Sequence, residues 1–427
     1  MFLFAFRSTF SPIFTSGKLR KMVPLLQQIN SKMNAYVSKL AKNEVEFETR
    51  SLTGKYSVDG LASCAFGVEA GSFDDENSEF FLHAKGAFGI LTQEEDPNKK
   101  KSLLEKITRV FRIIRIVTSF LIPNVIKKAA AMFGFVDIFA NFMANEHSKF
   151  LMSVIESSII ERKTSQTRRN DLVDMMIDAI NEDPRDASED GVEDNLLPTE
   201  QWEEDSKIMG FTRKKKNLSH DDVIATALLM LSAGYDTTGT AMGYILYELA
   251  LNPDVQEKLL EEIREVAPDA KDIPYETLQS LPYLDAIIQE TMRKHPVVPY
   301  LERLCTKDYK IPGHDYTVRK GDNVRVNNAG ICFDPDIFPD PKSFKPERFL
   351  KENSGDRNPY SYMAFSLGPR NCLAMRFALI EMKMCITNLV SNFRFFASSK
   401  TVKEVEWSPT SIFGLAKGGL WIKCEKR

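Results

Sequence analysis

One cysteine of this sequence, Cys372, lies between an arginine-bearing turn and a stretch with helical periodicity. The segment FSLGPRNCLAMRFALIE covers residues 365–381, and the apolar residues after the cysteine recur at spacings of three and four: Leu373, Phe377, Ile380 and Met384. This spacing predicts a helix that begins at or just after Cys372. A free cysteine is usually a small buried hydrophobe. At a helix start, however, unpaired N–H groups and the helix dipole favour the thiolate, which is a soft metal ligand.

The residues beside this cysteine suit a flat ligand that carries carboxylates. Gly368 permits a tight turn and the close approach of a ligand to the backbone, and Arg370 supplies a cation two residues before the sulfur. Ala374 adds little bulk beyond the sulfur. Together these residues are compatible with a haem and its propionates.

The stretch FSLGPRNCLA resembles the haem-binding signature FxxGxRxCxG/A of the cytochrome P-450 monooxygenases. The resemblance implies that Cys372 is the fifth ligand of the haem iron, where its electron donation favours O–O cleavage. It also implies that Phe365, Gly368, Arg370 and Ala374 contact the haem. The implied fold is mainly α, a large helical domain with small antiparallel β-sheets, here a single domain over residues 1–427.

A second segment, LLMLSAGYDTTGTAM at residues 228–242, lies inside the longest helical pattern but is rich in residues that disfavour a helix interior. The small Ala233 and Gly234 predict a groove beside the helix. A hydroxyl that bonds a backbone carbonyl would widen the helix there and admit water or dioxygen. The segment is similar to the family's AGxDT motif, which implies that Thr237 orients a water chain and Asp236 relays protons. For this segment alone, an internally satisfied Ser/Thr-rich kink is the simpler interpretation.

Two further motifs contain charged residues that the resemblance places together. ETMR, residues 290–293, puts opposite charges on one helical face, and such pairs are usually exposed and contribute only about 0.2–0.5 kcal/mol. The family's ExxR and PERF motifs instead imply a buried triad of Glu290, Arg293 and Arg348. Arginines can bind a carboxylate through several hydrogen bonds at once, so we expect this triad to be structural.

The remaining site residues follow from the resemblance. Arg7 and Arg303 occupy positions whose arginines meet haem propionates, alongside Arg370. Expected walls of the substrate pocket are Ala233, Val297, Val298 and Ile412.

Composition narrows the class of protein. The 427 residues include 43% hydrophobic residues, enough for a large core, and the net charge of −3 gives no reason to expect nucleic acid as a partner. Six cysteines are scattered without CxxC pairs, which favours a reducing compartment. The sequence contains no P-loop or GxGxxG fingerprint.

Most of the remaining chain has helical periodicity, and helices are predicted over several ranges: 58–68, 146–161, 171–181, 221–251, 254–266 and 278–295. Residues 309–328 alternate around two glycines and predict short antiparallel strands, and a strand pair is predicted within 411–425. Residues 181–201 are acidic and are predicted to form a loop. Residues 107–143 mix basic and apolar residues, which suits either core helices or a surface that dips into a membrane.

The sequence also departs from the family's pattern. The resemblance begins partway through it, without the membrane anchor, the proline-rich hinge and much of the N-terminal sheet, so an N-terminally truncated form is expected. Leu3 stands where a tryptophan is expected, Cys332 where histidine is frequent, and Ala364 where proline is common.

The resemblance is strongest to animal microsomal enzymes that oxidise foreign compounds, including insect members. It implies oxygen insertion into lipophilic xenobiotics, and into endogenous lipids or hormones, with electrons from NADPH through a reductase and with cytochrome b5 as a further donor. The implied location is the cytosolic face of the endoplasmic reticulum membrane, or the cytosol for the chain as written. Two alternatives stay open: a haem-thiolate isomerase or dehydratase, and a truncated product that binds haem without catalysis.

Overall fold

The computed structural model describes residues 14–75, 77–92, 145–165, 168–169, 171–174, 177, 220–268, 273–353, 355, 357–409 and 411–427. Within them the chain is mainly helical with small antiparallel sheets, which confirms the predicted fold class. Arg7, the amphipathic stretch 107–143 and the predicted loop 181–201 lie outside the described residues.

The helices are numbered in chain order: α1 Ser16–Lys42, α2 Thr49–Leu61, α3 Glu79–Thr92, α4 Glu146–Ser165, α5 His220–Leu251, α6 Pro253–Val266, α7 Tyr275–Gln279, α8 Pro282–Lys294, α9 Asn328–Cys332 and α10 Met375–Asn392. A π-helical turn, Ala62–Phe66, extends α2. In the described ranges, no helix is both long enough and apolar enough to cross a bilayer.

Helix α4 extends the predicted 146–161 to Ser165, and α5 and α6 each begin one residue earlier than predicted. Two other predicted helices differ more. The range 278–295 is divided between α7 and α8, because Pro282 lacks an N–H and begins a new helix as its first residue. The range 58–68 covers the end of α2 and the π-helical turn, and the helical structure stops at Phe66. Helix α2 begins earlier than predicted, where the Glu48 carboxylate accepts hydrogen bonds from the N–H groups of Arg50 and Ser51.

The strands are β1 Phe47–Glu48, β2 Tyr300–Leu304, β3 Tyr309–Lys310, β4 Thr317–Val318, β5 Asn323–Asn327, β6 Phe393–Ala397 and β7 Trp421–Lys426. The described sheets have the orders β1-β7-β6, β2-β5 and β3-β4, all antiparallel. The prediction of a strand pair within 411–425 is wrong. This stretch contributes only β7, whose partners lie far away in sequence, and a single bridge joins Trp407 to Ala416.

Helix α5 runs through the core and packs most closely against α2. A Cβ atom added at Gly239 would lie 3.3 Å from the Cα of Gly54, so the two backbones nearly touch. The Thr53 hydroxyl donates to the Gly239 carbonyl at 2.7 Å. This contact fixes the rotation of α5 about its axis, and with it the residues that α5 presents to the neighbouring cavity.

Candidate active site

A cavity of about 460 Å³ lies between α5 and the segment that precedes α10. Apolar side chains make up most of its lining, with contributions from α1, α2, α5, α8 and α10. Cys372, Arg303 and Arg370 also line it, so the thiol and two guanidinium groups share one mainly apolar space.

Cys372 lies in the loop just before α10, and its side chain is exposed. Its backbone N–H donates to the carbonyl of Phe365 at 2.8 Å, which closes the loop behind the sulfur. Ala374 is the N-cap and α10 begins at Met375, so the helix starts where the apolar spacing predicts it. The thiol therefore faces the cavity beside the positive end of an 18-residue helix.

The loop is shaped by two residues with positive φ, Ser366 at 60° and Gly368 at 73°. Nothing lies within 4 Å of the point where a Cβ atom of Gly368 would be. The backbone conformation thus favours glycine at position 368, and the missing side chain leaves open space next to the cysteine loop.

On the opposite wall, α5 contributes Ala233, Gly234, Thr237 and Thr238 to the lining. The Thr237 hydroxyl donates to the Ala233 carbonyl at 2.7 Å. This is the expected hydroxyl-to-carbonyl bond, but α5 stays α-helical from His220 to Leu251, so the predicted local widening is not present. The Ala233 carbonyl can accept this bond with its second lone pair while it keeps its place in the helix. No turn of α5 therefore has to open.

Gly234 has a packing role that the sequence did not indicate. A Cβ atom there would lie 2.9 Å from Cδ1 of Leu61, so the glycine makes room for a leucine of α2. The groove expected beside Ala233 and Gly234 is therefore partly filled by Leu61, which also lines the cavity.

Asp236 does not line the cavity with its neighbour Thr237. It is only 3% exposed and forms an ion pair with Arg50 of α2. Successive residues of an α-helix point about 100° apart, so the two side chains of the DT pair leave α5 in different directions. Sequence reasoning missed Arg50, because nothing in the sequence around it indicates a partner 186 residues away.

The two described arginines predicted to meet propionates lie together. Arg303 donates to the Ser366 hydroxyl at 3.1 Å and to the Arg370 carbonyl at 3.5 Å, which joins strand β2 to the cysteine loop. Among the expected walls, Val297 and Val298 line the cavity, whereas Ile412 is 66% exposed and does not. Other lining residues were not predicted: Phe14, Met22, Leu172 and Met292.

Glu290, Arg293 and Arg348 form a buried network outside the cavity. Both Glu290 oxygens accept hydrogen bonds from Arg293, at 2.7 and 2.9 Å, and Arg348 Nε donates to the same carboxylate at 3.1 Å. Arg293 also donates to the Cys332 carbonyl at 2.9 Å. The network connects α8 with α9 and with the 3-10 turn Pro346–Phe349, which are separate in sequence. It is a structural element rather than part of the cavity wall.

The residues of this cavity are compatible with a haem. Of the two cysteines in the lining, Cys372 is exposed and Cys64 is only 1% exposed. The accessible thiol, two guanidinium groups and a mainly apolar lining match an iron porphyrin with two carboxylates. The iron of such a group needs only one ligand from the protein, and Cys372 is the exposed thiol in this lining.

Comparisons with known proteins agree with this fit. The family model Cytochrome P-450 matches residues 4–420. The probable cytochrome P-450 6w1 of Drosophila melanogaster is 30% identical over 426 residues, 98% of this chain and 73% of the relative. Cytochrome P-450 6B1 of Papilio polyxenes is 31% identical over 429 residues, 99% of this chain and 75% of the relative. Cytochrome P-450 6k1 of Blattella germanica is 30% identical over 406 residues, 95% and 70% of the two chains.

Proposed function

The chain belongs to the cytochrome P-450 family of haem monooxygenases, and we propose that it oxidises lipophilic small molecules at the cavity beside Cys372. The observation that carries this proposal is the accessible thiol of Cys372, which lies in one apolar cavity with Thr237 of α5. We also propose that residues 1–427 form one domain.

The proposed roles follow the positions of the side chains. Cys372 binds the haem iron as a thiolate, and Arg303 and Arg370 neutralise the propionates, together with Arg7. The other proposed haem contacts are Phe365, Gly368, Ala374, Ala233 and Gly234. Haem held there would supply the oxidation, in which substrate RH, dioxygen, two electrons and two protons give ROH and water.

The lining of the cavity supports a lipophilic substrate. Burial of apolar surface stabilises a complex by roughly 25 cal/mol per Å², and most lining side chains offer only such contacts. We therefore propose foreign compounds as substrates, and endogenous lipids or hormones of similar polarity.

Proton delivery is assigned to α5. Thr237 holds a water molecule in the cavity, since its hydroxyl oxygen can accept a hydrogen bond while its proton goes to the Ala233 carbonyl. Asp236 can supply protons only by turning away from Arg50. This pair gives a monooxygenase the protons that dioxygen reduction consumes. Isomerases and dehydratases that rearrange a peroxide often lack the pair, so its presence supports the monooxygenase over that alternative.

The electrons and the location are part of the proposal as well. NADPH provides two electrons through a flavoprotein reductase, with cytochrome b5 as a further donor. We place the enzyme at the cytosolic face of the endoplasmic reticulum membrane, in line with the microsomal group that its motifs resemble.

The carbon monoxide difference spectrum of the reduced protein tests the site. Wild type should show the thiolate-type Soret band, and Cys372→Ser should lose it. Cys305→Ser is the control, because Cys305 is half-buried and lies outside the cavity lining. A band that survives in Cys372→Ser would overturn the assignment of the ligand.

Measurements of turnover distinguish the monooxygenase from the two alternative functions. With added reductase and NADPH, the proposal expects oxygenated product from a lipophilic probe. A Soret band without any NADPH-dependent reaction product would instead support the alternative of a truncated protein that binds haem without catalysis. Rearrangement of a peroxide without reductase would support the isomerase.

A further inference from the structure

Two histidines of α3 and α4 face each other outside the haem cavity. The Nδ1 atoms of His83 and His147 are 3.2 Å apart, and their ring centres are 5.0 Å apart at an interplanar angle of 64°. Neither residue lines the cavity described above. We propose that this pair is a two-histidine site for a divalent transition-metal ion, which bridges α3 and α4.

The distances match those of two imidazoles on one ion. Zinc-to-nitrogen bonds are about 2.0–2.1 Å, which places two nitrogens of a tetrahedral site about 3.3 Å apart. An imidazole nitrogen lies about 1.1 Å from its ring centre, so rings that converge on one ion have centres about 5 Å apart. The observed separations, 3.2 Å between the Nδ1 atoms and 5.0 Å between the ring centres, are close to this geometry. Without an ion the same two nitrogens share a hydrogen bond, which already holds both Nδ1 atoms towards one point.

The surrounding residues hold the two rings in this position. The ring of His83 stacks on Phe150 with centroids 4.1 Å apart and an interplanar angle of 17°. A Cβ atom at Gly86, one turn after His83, would lie 2.6 Å from the ring of His147. Only glycine allows His147 to lie this close to α3. The backbone of His147 is fixed by the side chain of Asn145, which accepts from its N–H at 2.7 Å.

The site is accessible and has open coordination positions. His147 is exposed and His83 is half-buried, so an ion can reach both nitrogens from solvent. Because the pair is open to solvent, we assign the remaining coordination positions to water. Imidazole nitrogen is a common ligand of Zn²⁺, Ni²⁺ and Cu²⁺.

Titration of the haem-loaded protein with Ni²⁺ by calorimetry tests the site. Wild type should bind one ion, and His83→Asn and His147→Asn should each lose at least tenfold in affinity. The double variant should lose no more than either single variant, because one ligand alone does not form the site. His314→Asn is the matched control, since His314 is exposed on the β3–β4 hairpin.

A second measurement guards against damage to the fold. Ni²⁺ should raise the midpoint of thermal unfolding of wild type and His314→Asn, because an ion that binds only the folded state stabilises it. It should not raise the midpoint of His83→Asn or His147→Asn. The carbon monoxide spectrum should be the same in all variants, so failure here is distinct from failure of the haem assignment. Wild-type Ni²⁺ affinity in either single variant, or an equal loss in His314→Asn, would overturn the proposal.

Discussion

The carboxylate of Asp236 on α5 is bound by the guanidinium of Arg50 on α2. Asp236 directly precedes Thr237, whose side chain faces the cavity. The side chain of Asp236 is 3% exposed and that of Arg50 is 18% exposed. A carboxylate buried to this degree stays ionised at low cost only beside a cation. Arg50 therefore has two effects, which are to stabilise the α2–α5 contact and to restrain the proposed proton donor.

Arg50→Leu should lower the free energy of unfolding by about 3 kcal/mol, because it removes a cation from a buried carboxylate. Asp236→Asn in the same chain should recover part of that loss, since the amide carries no charge. A double-mutant cycle by urea denaturation measures this coupling. Arg20→Leu is the control, because the Arg20–Glu276 pair is 48% and 62% exposed and should contribute about 0–1 kcal/mol. Strictly additive effects at Arg50 and Asp236 would contradict the ion pair.

Thr237→Ala should keep the carbon monoxide spectrum but divert electrons from product to hydrogen peroxide. The hydroxyl that would position water in the cavity is lost, while the thiol on the opposite wall is untouched. The ratio of product to NADPH consumed measures the change, and we expect a fall of several-fold. Thr237→Ser retains the hydroxyl and should restore most of the coupling. Unchanged coupling in Thr237→Ala would remove the role assigned to this side chain.

Gly368→Ala should lower the affinity for haem, because the added methyl group would enter the open space next to the cysteine loop. The loss of fold stability should be small. The φ of 73° at Gly368 makes any L side chain strained, at a cost of about 1 kcal/mol, but no protein atom lies within 4 Å of the new methyl group. Gly313 on the hairpin has a φ of 76° and equally open space, so Gly313→Ala carries the same strain away from the cavity. Haem titration should distinguish them. Equal haem affinity in both variants would show that Gly368 serves only the turn.

Glu381→Gln should change stability in a pH-dependent way. Burial raises the pKa of Glu381 from 4.5 to about 8, and the neighbouring Ser57 hydroxyl opposes the shift only in part. Between these two values the unfolded chain releases its proton while the folded chain keeps it. The free energy of unfolding therefore falls as pH rises through this range, by about 1 kcal/mol per pH unit from this group.

The glutamine variant lacks this titration, so its stability relative to wild type should rise between pH 5 and pH 8. Urea unfolding at these two pH values measures the difference. Glu352→Gln, at an exposed position, should show no such trend. If the Glu381→Gln difference is the same at both pH values, the pKa of this carboxyl is not raised.

Short-range features could be predicted from the sequence because they depend on neighbours along the chain. The spacing after Cys372 predicted a helix, and α10 begins at Met375, since apolar periodicity and a turn before it are local properties. The fold class followed from motifs of about ten residues. The separation of α7 from α8 was also encoded locally, by Pro282, although the prediction overlooked it.

The directions of side chains depended on packing between distant segments. The DT pair is contiguous in sequence, yet Asp236 faces Arg50 while Thr237 faces the cavity, because the α2 contact sets the rotation of α5. The pairing of β7 with β1 and β6 also joins segments that are separate along the chain, so it depends on tertiary packing.

The sequence by itself determined that a thiol follows an arginine-bearing turn and precedes a helix, because backbone preferences and residue spacing act over a few residues. Only the tertiary structure decided which side chains share the cavity, that Ile412 is outside it, and that His83 meets His147. Those relationships join residues far apart in sequence. They are set by which faces of the helices are buried together, and that depends on the whole core.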